Sequence, residues 1–361
     1  MRCKIKSKKI FFVIMMIAVA VIVSVLWGIK ERNFDNGFDQ TSQTGQIFIY
    51  GEAHAVESIL EKELQLWDTY YCQEGIRDLF IEYPYFDAQF LNIWMKSDND
   101  DILEQVYENW EGSLGHSEVV KQFLKRIKEY YPETIFHGTD VGHTYQTTGE
   151  QYLEYLRSNG EVGSEEYKLA EEAIEQGKYY YEKQDDVYRE NKMTENLIRE
   201  FDNLDGASAM GIYGAAHTDI EAMEYTNTVP CMARQLNEHY GASVVIAEDL
   251  TKIDEPLEVS SITVSGKEYK ASYFGSQDLS YVMEEYEYRE FWRLENAYED
   301  LKYNTITYDT LPCKDYPMKV EKGEVFVIDY VRADGSVERR YYRSDGNEWC
   351  GNPTTDGFEA D

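Results

Sequence analysis

The sequence predicts an α/β protein: a mostly parallel sheet with flanking helices, a long helical insertion and a small β-rich segment at its C-terminal end. Three observations carry this expectation. Apolar runs of strand length alternate with helical patterns from residue 47 to about 250, and such alternation implies βαβ units. A helical pattern at 149–204 interrupts the rhythm. From about 255 the apolar positions instead recur every second residue, the period of half-buried strands.

At the N-terminus, Arg2, Lys4, Lys6, Lys8 and Lys9 precede an uncharged run at 10–29 that is 20 residues long. That length matches a bilayer's hydrocarbon core and exceeds the usual apolar region of a secretory signal. No small-x-small cleavage pattern follows it. Residues 1–30 are therefore expected to be a cytoplasmic tail and an uncleaved transmembrane signal anchor, with a cleaved signal peptide as the alternative. Five basic residues stand before the span and only Lys30 and Arg32 just after it. The positive-inside rule then makes this a single-pass protein of the cell membrane, with everything after the span extracytoplasmic. Residues 31–46, rich in Asn, Asp, Gln, Ser, Thr and Gly, read as a linker.

The α/β domain is expected at 47–254. Its strands are the apolar runs at 47–50, 79–81, 134–136, 208–213 and 243–247. Between them, Val56, Ile59, Leu60, Leu64 and Trp67 recur at helical spacing, 87–96 and 99–110 read as helices, and Val120, Phe123, Leu124 and Ile127 mark another. Within the insertion at 149–204, Gly160 and Gly163 separate a short helix from a long one, whose N-cap is Ser164 with Glu165 and Glu166 in the first turn. The β-rich appendage spans 255–361, with strands at 259–264, 269–274, 325–331 and 337–342, a hairpin turn at Asp334-Gly335 and a Tyr- and Glu-rich helix at 279–303.

The net charge is −33, and because residues 1–30 carry six basic and no acidic side chains, the remainder holds −39. A surface of that sign repels nucleic acid and anionic head groups. Nucleic-acid binding is excluded; the expected partners are a small-molecule substrate and, through the N-terminal helix, the membrane. Beyond that helix lie Cys72, Cys231, Cys313 and Cys350, without a CxxC spacing, so a thiolate zinc site is not expected. Cys313 and Cys350, both in the C-terminal region, are the favoured disulfide pair among three possible pairings.

The chemistry gathers at strand ends. The first strand runs into Gly51-Glu52-Ala53-His54-Ala55, the second into Glu82, the third into His137 and Asp140, the fourth into His217. Loops beyond the carboxyl ends of parallel strands are where α/β sheets bind ligands. A single strand-end histidine is more often structural, but four such endings on neighbouring strands favour an enzyme. A neutral imidazole can take a proton from water, and a carboxylate on its other nitrogen fixes the tautomer and stabilises the imidazolium. The same residue types could hold zinc, manganese or iron. Arg189, Met193 and Asn196 share one helix face and could orient a carbonyl or carboxylate. His116, His143 and His239 are less informative. No Gly-x-Ser-x-Gly elbow or phosphate loop occurs, which disfavours covalent serine catalysis and nucleotide binding.

The 51–55 stretch resembles the opening Gly-Glu-x-(x)-His motif of the erythromycin esterase-like family and its ChaN-like and Tiki-like relatives. Ile81-Glu82, Trp110 with Ser117-Glu118-Val119, Phe136-His137-Gly138-Thr139-Asp140, Arg189-Glu190 with Met193 and Glu195-Asn196, and Gly214-Ala215-Ala216-His217 resemble further motifs of that superfamily, in order. The Glu-x-His spacing is one residue shorter than is usual in the esterases and closer to the other two branches. The resemblance implies a hydrolase needing no cofactor, which the N-terminal span makes extracytoplasmic, with His54, Glu52, Glu82 and His217 catalytic, and Arg189, Asn196, His137 and Asp140 binding substrate, an ester or related carbonyl. The alternatives it implies are a metal-dependent Tiki-like peptidase, with His54, Glu82, His137 and His217 as ligands of a divalent metal, and a ChaN-like surface protein binding haem or iron.

Overall fold

The structure is a computed structural model, and it describes residues 45–283, 285–349 and 351–360. The expected membrane anchor lies outside the described residues, as does nearly all of the linker. No helix among the described residues is long and apolar enough to cross a membrane.

Five parallel strands form the first sheet: β1 (Ile47–Glu52), β2 (Asp78–Pro84), β3 (Ile135–Asp140), β4 (Ala209–Gly214) and β5 (Val245–Asp249), in the order β3-β2-β4-β1-β5. The inner strands β1, β2 and β4 bury both faces, so each reads as a nearly continuous apolar run, whereas Ile246, Glu248 and Asp249 of the edge strand β5 are exposed. One face, with Tyr50, Leu79, Ile81, Met210 and Ile212, packs under α1 (Glu57–Thr69), α2 (Tyr85–Met95), α3 (Asp101–Asn109) and α4 (Glu118–Tyr130). The stripe predicted for α4 is buried: Val120, Phe123, Leu124 and Ile127 are all under 9% exposed. On the opposite face Ile47, Ile49, Phe80 and Tyr213 pack on Met193, Leu197 and Phe201 of α7 (Asp186–Asp202) and on Met232 and Leu236 of α8 (Met232–Tyr240).

The insertion folds as three helices, α5 (Glu150–Ser158), α6 (Glu165–Lys183) and α7 (Asp186–Asp202). Ser164 caps α6 as expected, its hydroxyl accepting from the Tyr167 amide at 3.0 Å. Gln184, in a left-handed conformation, ends α6, and Asp185 caps α7 by accepting from the Tyr188 amide. This sharp break sets the first turn of α7, with Arg189 and Glu190, over the strand ends.

The second sheet is antiparallel, in the order β12-β13-β11-β10-β8-β7-β6 with β9 on β13. Its strands are β6 (Glu258–Val264), β7 (Lys267–Asp278), β8 (Tyr288–Leu294), β9 (Ile306–Pro312), β10 (Val325–Val331), β11 (Val337–Arg343), β12 (Glu348–Trp349) and β13 (Asn352–Phe358). The helix expected at 279–303 is corrected: β8 occupies its middle, and only a single helical turn, Tyr298–Leu301, follows. Among the described residues Cys72, Cys231 and Cys313 carry free thiols. Cys350, the expected partner of Cys313, lies outside the described residues.

β7 also joins the two sheets. β6 pairs with it only as far as Tyr273, and beyond that point Gln277 bridges Val56 while the Asp278 amide donates to the Ala55 carbonyl. Glu57 Oε2 accepts from the Ser276 amide, the Ser276 hydroxyl and the Tyr273 hydroxyl.

Candidate functional site

Parallel register brings four strand ends level. Glu52 of β1 pairs with Gly214 of β4, and Ile81 of β2 stands beside Ile212 of β4 and Gly138 of β3. Glu82 therefore projects between the ends of β1 and β4, and it is the centre of the cluster. Its Oε1 accepts from Arg189 Nη2 at 2.6 Å, and its Oε2 accepts from the Gly214 amide.

Two imidazoles flank this carboxylate, each held from behind by another. His54 Nδ1 bonds Glu52 Oε1 at 2.6 Å, and its Nε2 lies 3.9 Å from Glu82 Oε2. His217 Nδ1 bonds Glu190 Oε2 at 2.6 Å, and its Nε2 lies 3.6 Å from Glu82 Oε1. Both gaps exceed a direct hydrogen bond, so each contact is electrostatic. Gly214 makes room for the arrangement, since a Cβ there would stand 2.8 Å from His54 Nε2. The loop after His54 is strained: Ala55 is buried yet has a φ of 57°. Such a conformation persists only where its surroundings enforce it, and the β7 contacts to Ala55 and Val56 do so.

Arg189 also forks onto Asp140, donating from Nε and Nη2, and Asp140 accepts from His143 Nε2 at 2.8 Å as well. The electrostatics follow. Burial works against the charge on His54, but the bond to Glu52 and the charges of Glu52 and Glu82 outweigh it and push the imidazole up to about 9. His217 is raised in the same way by Glu82 and Glu190. Glu82 is lowered to about 2, because His217, His54 and Arg189 overcome the cost of its burial. Asp140 is lowered too, by Arg189 and His143 against burial.

Glu52, His54, Glu82, Asp140, His143 and Arg189 of the cluster line a cavity of about 600 Å³. Leu60, Ile81, Leu114, Phe123, Leu124 and Ile212 supply apolar wall, and Tyr83, Trp110, Tyr145 and Tyr181 supply aromatic wall. Trp110 stacks on Tyr83 and donates from its indole to buried Asp87, whose carboxyl burial raises to about 6.

Of the residues singled out in the sequence, the structure brings Glu52, His54, Glu82, Asp140, Arg189 and His217 together. It does not bring His137, which lies lower on β3, stacked on Phe80, and pairs with Asp78 at 2.9 Å and with Glu200. Asn196 is buried away from the cavity, donating to the Thr139 carbonyl and bonding Gln176. His116 packs against Tyr107 with the rings tilted by 33°. Glu190, which the sequence offered only as part of a motif and without a role, backs His217, and Glu63, which the sequence did not single out, lines the cavity. The proposed metal ligands do not fit a metal: His137 is elsewhere, the Glu82 oxygens are engaged by Arg189 and Gly214, and the guanidinium places a positive charge at the would-be centre. Among the described residues no group of three or more His, Cys, Asp or Glu side chains is arranged to hold a metal ion.

No protein-family profile matches this chain, and neither does any curated protein sequence. Among solved structures, it is similar to a Bacillus cereus protein at 13% identity and a TM-score of 0.42, over 63% of this chain and 70% of that one. A mutant of the erythromycin esterase EreC in its open conformation matches at 13% identity and a TM-score of 0.40, over 56% of this chain and 70% of that one. A succinoglycan biosynthesis protein matches at 12% identity and a TM-score of 0.40, over 71% of this chain and 78% of that one.

Proposed function

We propose that the strand-end cluster is a hydrolytic site acting on an ester or related carbonyl of a small molecule. The observation that carries this reading is the pair of carboxylate-backed imidazoles whose Nε2 atoms converge on Glu82 at 3.9 and 3.6 Å, beside the cavity. His54 is the general base. Its Nε2 takes a proton from water as the water oxygen attacks the carbonyl carbon, and Glu52 supports the imidazolium that results. The negative charge that develops on the carbonyl oxygen is met by His217 Nε2–H, backed by Glu190, and by the Arg189 guanidinium. The leaving alkoxide then recovers the proton from His54. The apolar and aromatic walls suit a substrate whose remainder is hydrophobic and uncharged. The basic residues preceding the apolar run at 10–29 support an extracytoplasmic location.

The test is His54→Ala in the full chain, assayed on a panel of esters and lactones. Turnover should fall by roughly two to four orders of magnitude, the range for a lost general base. Equal hydrolysis by both proteins would overturn the assignment. The pH profile gives a second check. The base works only as the neutral imidazole, and its raised pKa of about 9 leaves roughly one molecule in a hundred in that form at pH 7. Turnover should therefore climb about tenfold per pH unit from neutrality and level off near pH 9.

A further inference from the structure

Glu63 sits in the middle of α1, fully buried, among the inward-facing Ile59, Leu60, Leu64 and Trp67. Neither of its oxygens meets a hydrogen-bond donor among the described residues, and neither does Glu52 Oε2. Yet both carboxyl groups line the same cavity, and Glu52 is the one charged side chain that acts on the Glu63 carboxyl, through its charge and a side-chain hydrogen bond. As two carboxylates they would set like charges side by side in an apolar setting and leave three buried oxygens without a donor. One proton on Glu63 removes the like-charge penalty and engages two of the three oxygens, leaving only the Glu63 carbonyl oxygen without a donor.

We infer that Glu63 is held as the neutral carboxylic acid and donates its O–H to Glu52 Oε2, making it a positioning residue for the His54 pair. Glu52 is then gripped from two sides, by Glu63 on Oε2 and by His54 Nδ1–H on Oε1. The grip fixes the carboxylate that orients the imidazole. Burial and the neighbouring Glu52 charge both push the Glu63 carboxyl well up, in keeping with this state. Only the effect on turnover rests on the hydrolytic reading above; the protonation state does not.

The decisive measurement is infrared difference spectroscopy of wild type against Glu63→Gln at pH 8. At that pH Asp87, raised to about 6, is ionised. The carbonyl stretch of a protonated carboxylic acid should be present in wild type and missing from E63Q. Identical spectra in that region overturn the inference. Turnover supplies the second arm. Glu63→Leu deprives Glu52 of its donor and should lower kcat by about tenfold or more with KM little changed, whereas E63Q, whose amide N–H still donates, should recover most of the loss. Equal kcat in E63L and wild type overturns the positioning role. Should E63L fail to fold, the E63Q spectrum still decides. A wild-type chain that hydrolyses no ester would remove the base role of His54 and leave the infrared result to stand on its own.

Discussion

At position 214 the lack of a side chain is a requirement of the site, because a Cβ would stand 2.8 Å from His54 Nε2 and 3.2 Å from Glu82 Oε2. Gly214→Ala should push the imidazole aside and cost roughly a hundredfold in turnover, the scale of a displacement near 1 Å. Thermal stability should change little, since φ at 214 is −54° and suits alanine. A melting curve beside the rate assay separates the two effects, and a Gly214→Ala enzyme of wild-type activity sinks the packing argument. Single residues differed in how readable they were. Glu52, His54 and His217 stand just past apolar runs, so topology alone sends them to the sheet's edge. Glu63 left a fainter mark: it interrupts the apolar stripe of α1, and a charge on a buried stripe demands a partner. Glu190 stood in a motif but showed no role, since its partner His217 lies 27 residues away. His137 misled because three residues separate it from the end of β3, and those three carry it down the sheet to Asp78.

Among the elements, α7 does more for the site than any single strand. Its first turn places Arg189 between Glu82 and Asp140 and Glu190 behind His217. Arg189→Ala would strand two buried carboxylates without their counter-charge, a loss of about 3–5 kcal/mol for a broken buried pair. Urea unfolding should register it, and Arg189→Lys should rescue little, because one ammonium cannot reproduce the fork onto two acids. A variant as stable as wild type would show that the network is dispensable. The inner parallel strands were legible because burial on both faces writes continuous apolar runs. β8 was not legible. Its Arg289 and Arg293 are paired within the β-rich unit, to Gln277 and Glu324, and the Tyr- and Glu-rich composition that suggested a helix surrounds a strand.

For the whole molecule, the site's charges set opposing demands. Glu82 is lowered from 4.5 to about 2, so its contribution to stability is present above pH 4.5 and is lost as pH falls through about 2. His54 is raised from 6.5 to about 9, so its contribution is full below pH 6.5 and is lost as pH rises through about 9. Melting temperature measured against pH should therefore fall away toward both extremes. Its alkaline decline should coincide with the rise in turnover, and a melting temperature still climbing from pH 7 to pH 9 would contradict the linkage. Greatest stability and greatest activity then occur at different pH values, as expected where strong charge pairs hold a base in readiness. β7 adds a consequence of another kind. Its last residues lend one edge to β8 and the other to the backbone beside His54. The antiparallel sheet is thus a brace for the strained turn at Ala55, and the two sheets share one cooperative fate on heating. Foreign sequence should be accommodated at the Asp334-Gly335 hairpin, and a graft at the end of β7 would disarm a histidine on the other sheet.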